Sequence, residues 1–339
     1  MIKELNLQHV RDKEAMILQE VWRHNLHEEL NLISELRRSC NFVFVDTEFP
    51  GFLKPAPHRA PREDTYSALK YNVDRMKLVQ VGITLSDSKR FFTWQFNLKD
   101  FDPEVDNCSK DSIEFLKRNG IDFCKNGKDG VSAAVLSKGL TEKLIRGCEG
   151  LRWVTFHGLY DLAYLIKIVY KMPLPETLNG FLGLVRELFG AMVYDVKYMA
   201  KECDARFAEA GLLKLSRMLE INWKGTSRQA GRDSLLTAMV FWEMKKRFAD
   251  FNEEAHAGAL YELEEHARDE SVNVATTSYD RVAPVRVSRG PSSVPFGYAM
   301  LPSPSSMPPH GYPPVAVGYC PPPYGYWLAP GPFFYAPPQ

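Results

Sequence analysis

Apolar positions along the chain predict most of its elements. From Val10 to Leu36 they fall at Leu18, Val21, Trp22, Leu26, Leu30, Ile33 and Leu36, every three or four residues, the stripe of one amphipathic helix. Phe42, Val43, Phe44 and Val45 then form an unbroken aromatic and β-branched run that reads as a buried strand. The polar, proline-bearing segment from Lys54 to Asp74 predicts an exposed loop. Lys77 to Leu85 and Arg90 to Phe96, separated by the turn-like SDSK, predict two further strands, and all three strands together suggest an antiparallel meander.

Asp111 and Ser112 predict the cap of a short helix through Arg118, and Val131 to Arg146 predicts a longer one. Leu151 to Phe156 reads as a strand that hands over to a helix, LYDLAYLIKIVY, with Leu162, Leu165, Ile166 and Val169 on one face. Ala191 to Val196 predicts a strand, Gly211 to Leu219 a helix, Leu235 to Phe248 an apolar helix opened by Asp233 and Ser234, and Asn252 to Arg268 a charged helix. Beyond residue 271 the periodicity ends. Of the 23 prolines, 16 follow Ala283, interleaved with Gly, Ser and Tyr, so residues 1–270 are expected to form the folded domain and 271–339 a disordered tail.

Against this pattern the acids stand out. Asp46 and Glu48 sit at the far end of the apolar strand, two residues apart and therefore on one face. Buried like charges this close are costly unless a cation neutralises them, and hard divalent metals prefer carboxylate oxygens. Taken alone, the pair also fits a solvated strand end. Asp161 falls in the first turn of a helix and Asp233 at the start of another, where a plain helix-opening acid would serve equally well.

Composition narrows the partners. The 42 basic and 42 acidic residues cancel, so nucleic-acid contact would need a local patch rather than net charge. Six cysteines lack the spacing of a zinc site and read as thiols of a reducing compartment. The N-terminal MIKELNLQHVRDKEAM is charged where a signal peptide needs its apolar core, and no apolar run approaches the roughly 20 residues of a membrane span, so an intracellular protein without a membrane partner is expected.

The stretches FVFVDTEFPG, WVTFHGLYDLAYLIK, YDVKYM and RQAGRDSLLT, with WQFNLKDF and DSIEFLKRNGIDF, resemble the catalytic nuclease subunit that accompanies the carbon catabolite repressor deadenylase in the CCR-NOT complex. The resemblance runs from about Leu5 to Phe251. It implies a ribonuclease H-like α/β exonuclease fold of the DEDD superfamily, a mixed central sheet flanked by helices. It also implies 3′ to 5′ shortening of messenger RNA poly(A) tails, leading to mRNA turnover and repression in nucleus and cytoplasm. The implied partners are single-stranded poly(A) RNA and other CCR-NOT subunits, namely the scaffold and a second deadenylase. Carried over position by position, the catalytic and metal-binding acids are Asp46, Glu48, Asp161 and Asp233, holding two Mg²⁺ or Mn²⁺ ions.

One position departs from the family pattern. Where the family places a histidine five residues before the last aspartate, this chain has Arg228, which cannot act as a general base. The tyrosine used by a related subgroup one position later is Gln229, and Arg232 adds charge where the family has a small residue. His157 is the remaining histidine near an acid motif, and core packing or a base role are both open to it. Phe49 and Phe156 flank the acids and admit either core packing or base stacking. A weakened nuclease serving mainly as an adaptor, or a DNA exonuclease of the same superfamily, are the competing functions.

Overall fold

The computed structural model describes residues 17–56, 60–147, 150–225 and 228–263. Along the chain lie β1 (Ile17–Val21), α1 (Leu26–Leu36), β2 (Phe42–Glu48), α2 (Arg62–Arg75), β3 (Gln80–Ser86), β4 (Phe91–Asn97), α3 (Lys110–Arg118), α4 (Phe123–Asp129) and α5 (Ala133–Leu140), which a π turn extends over Thr141–Ile145. They are followed by β5 (Arg152–Thr155), α6 (Leu159–Tyr170), α7 (Leu178–Phe189), β6 (Val193–Asp195), α8 (Val196–Cys203), α9 (Leu212–Met218), α10 (Ala230–Arg247) and the single turn α11 (Glu253–His256). The strands form one mixed sheet in the order β1-β4-β3-β2-β5-β6. The meander β2-β3-β4 is antiparallel as expected, while β1 joins β4, β5 joins β2 and β6 joins β5, all in parallel.

Alternation along β2 divides the core. Val43 and Val45 face the larger cluster, built with Leu162, Phe181, Leu69 and Leu30 from α6, α7, α2 and α1. Phe42 and Phe44 face the other way, onto Phe241 and Met244 of α10 and Leu212 of α9. Each such fully buried side chain contributes about 1.5 to 3 kcal/mol of hydrophobic stabilisation, so both faces of the central strand are firmly specified. Asp46 and Glu48 continue the α10 face and Thr47 the α6 face, which fixes where each can reach.

Several expectations need correction. The single helix from Val10 to Leu36 is, within the described residues, strand β1 followed by α1. Leu18, Val21 and Trp22 carry a helical spacing, but pairing of Ile17 to Val21 with the open edge of β4 overrides it. Asn25 ends it: its Oδ1 accepts the Trp22 N–H at 2.8 Å, and its Nδ2 donates to the Glu20 carbonyl at 2.9 Å. The expected loop from Lys54 to Asp74 contains α2, which follows Pro61 and buries Tyr66, Leu69 and Val73 at helical spacing. Its high polar content hid that stripe. Helix α10 begins at Ala230, five residues before the expected Leu235, so Asp233 lies inside its first turn. Within the described residues, the expected helix over Asn252 to Arg268 forms only α11, with Gly258 at φ +79° just beyond it, and its part after residue 263 lies outside them. Helices α4, α7 and α8 had no counterpart in the sequence reading. The expected domain boundary at 270 and the tail over 271–339 lie outside the described residues.

Candidate metal centre

The pleat of β2 delivers the first two acids, and a glycine on its neighbour admits the third. Asp46 stands in register with Gly82 of β3. A Cβ at Gly82 would lie 1.9 Å from the Ala230 carbonyl oxygen, so only glycine lets the first turn of α10 rest directly on β3. With the helix seated so close, carboxylate oxygens of Asp46, Glu48 and Asp233 all lie within 4.8 Å of one another. Asp233 is buried and the β2 pair partly so. Amides lock the approach: Gln95 of β4 donates from Nε2 to Gln229 Oε1 at 2.7 Å and accepts the Gly231 N–H at 3.2 Å. Gln229 Nε2 in turn donates to the Asn119 carbonyl at 2.7 Å, tying the α10 entrance to the end of α3.

Asp161 is not part of that trio. It comes from α6, on the face of Val43 and Val45, and its Oδ1 accepts the hydroxyl of Thr47 at 2.6 Å. The turn before α6 is tightly made: His157 is left-handed at φ +60°, and a Cβ at Gly158 would stand 2.1 Å from the Thr155 side chain. Asp195, fully buried at the end of β6, pins this turn by accepting N–H bonds from His157 at 2.8 Å and Gly158 at 3.2 Å. It also accepts from Lys197 at 3.0 Å and Tyr261 at 3.1 Å, so one carboxylate joins β6, α6 and the segment after α11.

Burial and mutual repulsion make these acids poor at holding charge unaided. Burial, then the charge of Asp233, pushes Glu48 up to about 8 despite the opposing pull of Arg228. Asp46 is raised well above the usual carboxylate range by burial, then by Asp161, Asp233 and Glu48. Burial raises Asp161 to about 7, against the Thr47 hydrogen bond. Burial likewise raises Asp233, opposed by Arg228, whose Nε donates to Asp233 Oδ2 at 2.6 Å. Three convergent hard oxygen donors with more negative charge than one guanidinium can balance fit a divalent Mg²⁺ or Mn²⁺ ion.

Other candidates resolve into packing. His157 directs Nε2 to Glu262 Oε1 at 2.9 Å and meets the Tyr261 ring edge-on at 4.8 Å, so it anchors the C-terminal segment. Phe49 stacks on Tyr160, with centroids 5.2 Å apart and planes 16° apart, and packs on the larger core. Phe156 packs on the smaller one. Phe52, overlooked in the sequence, is 51% exposed and stands edge-on to both Phe49 and Tyr160. Thr47, Gly82, Gln95 and Asp195 were also overlooked as supports. Thr47, Gln95 and Asp195 did lie inside the motif stretches, whereas Gly82 carries no signal short of the folded register.

Residues 21–146 and 134–241 match the CAF1 family ribonuclease. "Probable CCR4-associated factor 1 homolog 7" of Arabidopsis thaliana is 37% identical over 262 residues, covering 74% of this chain and 94% of that relative. Homolog 5 of the same plant is 40% identical over 225 residues, covering 66% and 81%. The chain is also similar to the solved structure of S. pombe Pop2p in its Mg²⁺- and Mn²⁺-bound form, with a TM-score of 0.66, 35% identity, and coverage of 73% of this chain and 99% of that one. The RNase domain of the yeast Pop2 protein gives a TM-score of 0.63 at 27% identity, covering 72% and 94%. A chain from the yeast NOT1 MIF4G domain co-crystallised with CAF1 gives 0.59 at 26%, covering 72% and 96%. Because the family match spans residues 21–241, which carry strands β2 to β6 and every acid-bearing segment rather than one motif, the chain belongs to the CAF1 family of ribonucleases and shares its ribonuclease H-like exonuclease fold.

Proposed function

We propose that this protein is a metal-dependent 3′ to 5′ exoribonuclease that shortens mRNA poly(A) tails as a subunit of the CCR-NOT complex, in nucleus and cytoplasm. The observation that carries the reading is the convergence of Asp46, Glu48 and Asp233 within 4.8 Å at the end of the central strand. These three residues, with Asp161 beside them, would hold two divalent ions. When bound, the ions supply the charge that lowers the pKa of a water and offsets negative charge gathering on the scissile phosphate. Thr47 orients Asp161, and the amide lock of Gln95 and Gln229 holds Asp233 in place. Phe52 offers a half-exposed ring, packed on Phe49 beside Glu48, with which a base can stack regardless of sequence. The NOT1 MIF4G co-crystal of a similar chain, and the CCR4-associated names of the relatives, support a scaffold and a second deadenylase as partners.

A second reading, a weakened nuclease serving mainly as an adaptor in the same complex, is favoured by one observation: Arg228 occupies Asp233 and cannot accept a proton. One assay separates the two. RNA ending in adenosines, labelled at its 5′ end, should be shortened stepwise by the wild-type chain in Mn²⁺ and left intact by Asp46→Asn. A parallel substrate ending in cytidines reads out base preference. Equal, negligible digestion by both proteins, alongside retained capture of the scaffold subunit, would establish the adaptor instead.

A further inference from the structure

Arg228 is an unusual neighbour for a metal site. It places a permanent cation on a carboxylate that the ions also need, and the contact is short, 2.6 Å from Nε to Asp233 Oδ2. The two partners are very unequally exposed. The Asp233 side chain is 4% accessible and that of Arg228 45%, so the acid is fixed while the guanidinium already borders solvent. Backbone and side chain are also held separately. The Arg228 N–H donates to Asn119 Oδ1 at 2.8 Å, and the neighbouring Gln229 is tied to both Asn119 and Gln95. Among the described residues, the bond to Asp233 is the only side-chain hydrogen bond of Arg228, so the side chain can swing away without disturbing the helix start.

We propose that Arg228 is a built-in counter-cation that a divalent ion must displace from Asp233, so that metal loading in this chain is an exchange of cations. The proposal rests on the metal-site part of the function given above. A guanidinium and a divalent ion on one buried carboxylate repel each other at a separation of a few ångströms, and the solvent at the guanidinium's open side gives it somewhere to go. Metal-free, the arginine neutralises part of the acidic trio and keeps the site closed. Metal-bound, it turns to solvent, and the loss of the salt bridge to the buried Asp233 lowers metal affinity.

The test measures metal binding without RNA. Titration calorimetry with Mn²⁺ is run on the full-length wild-type chain and on Arg228→Gln, and the Nε–H resonance of Arg228 is followed in ¹⁵N-labelled wild type as Mg²⁺ is added. Arg228→Gln should bind Mn²⁺ at least ~10-fold more tightly, and the wild-type Nε–H should move to the position and fast solvent exchange of an exposed arginine. Equal or weaker binding by the variant, or an Nε–H that stays put while Mg²⁺ binds, overturns the exchange. Should Arg228→Gln fail to fold, the wild-type resonance decides alone. Absence of Mn²⁺ binding in both proteins overturns the metal-site reading beneath the proposal, an outcome distinct from equal binding.

Discussion

At the scale of single residues, Arg228 is a permanent cation on the Asp233 carboxylate, at the position where the family resemblance implies a general base. A positioned acid-base group contributes ~10²- to 10⁴-fold in rate, while charge stabilisation by bound ions is independent of it. Arg228→His should therefore raise kcat on adenosine-ended RNA by ~10-fold or more, with a new loss of rate on the acidic side near pH ~6.5. Single-turnover digestion across pH checks it, and an unchanged rate at every pH would show that Arg228 does not stand in for a missing base. The acids themselves predict a second pH effect. In the metal-free protein Glu48 is raised from 4.5 to about 8, and Asp161 from 3.8 to about 7. For groups raised on folding, the contribution to stability is complete below the unfolded-state value and is lost as pH climbs through the folded value. Thermal melts in EDTA should thus fall between about pH 5 and about pH 9, and Mn²⁺ should flatten the decline. A melting temperature that rises over this range would mean that the acids are compensated by basic neighbours.

At the scale of elements, the site depends on how closely α10 approaches the sheet. Gly82 faces Asp46 across the β2-β3 ladder and lies directly beneath Ala230. Gly82→Val would force the helix off the strand, an overpacking cost of about 1 to 3 kcal/mol or more, and would carry Asp233 away from Asp46 and Glu48. Both a lower urea midpoint and a weakened Mn²⁺ affinity are expected. A variant that loses stability yet binds Mn²⁺ as wild type does would show that Asp233 is dispensable to the ion. The sequence disclosed β2, β3, β4, β5 and α6 because their apolar runs are long and bounded by turn residues. It missed α2, whose three-residue apolar stripe is diluted by charge, and it read β1 as helix because Leu18, Val21 and Trp22 fall at helical spacing while the pairing with β4 that makes a strand of it is tertiary.

At the scale of the whole molecule, the segment after α10 closes the core. Leu260 and Leu263 are buried in the larger cluster, Tyr261 donates its N–H to Asp195, and Glu262 holds His157. Removing residues 258–339 should accordingly lower the melting temperature by several degrees, since two buried leucines alone account for about 3 to 6 kcal/mol. Removing only residues 271–339 should leave melting and rate nearly unchanged, because a segment of that composition has little apolar surface to bury. Differential scanning calorimetry of both truncations tests the contrast, and similar losses in the two would place part of the stabilisation beyond residue 270.

The sequence by itself determined the local ingredients: acids at strand and helix ends, an arginine five residues before Asp233, and a strand whose alternation aims Asp46 and Glu48 to one side. These are local properties, set by residue type and by the pleat. Tertiary structure alone decided which acids meet. It brings Asp233 to Asp46 and Glu48 because Gly82 lacks a Cβ, holds Asp161 beside them through the Thr47 hydroxyl, and seats Arg228 on the carboxylate it would have to release. It also buries Asp195 under four N–H donors from three separate parts of the chain. Contacts between residues scores of positions apart depend on register and helix seating, which no local pattern encodes.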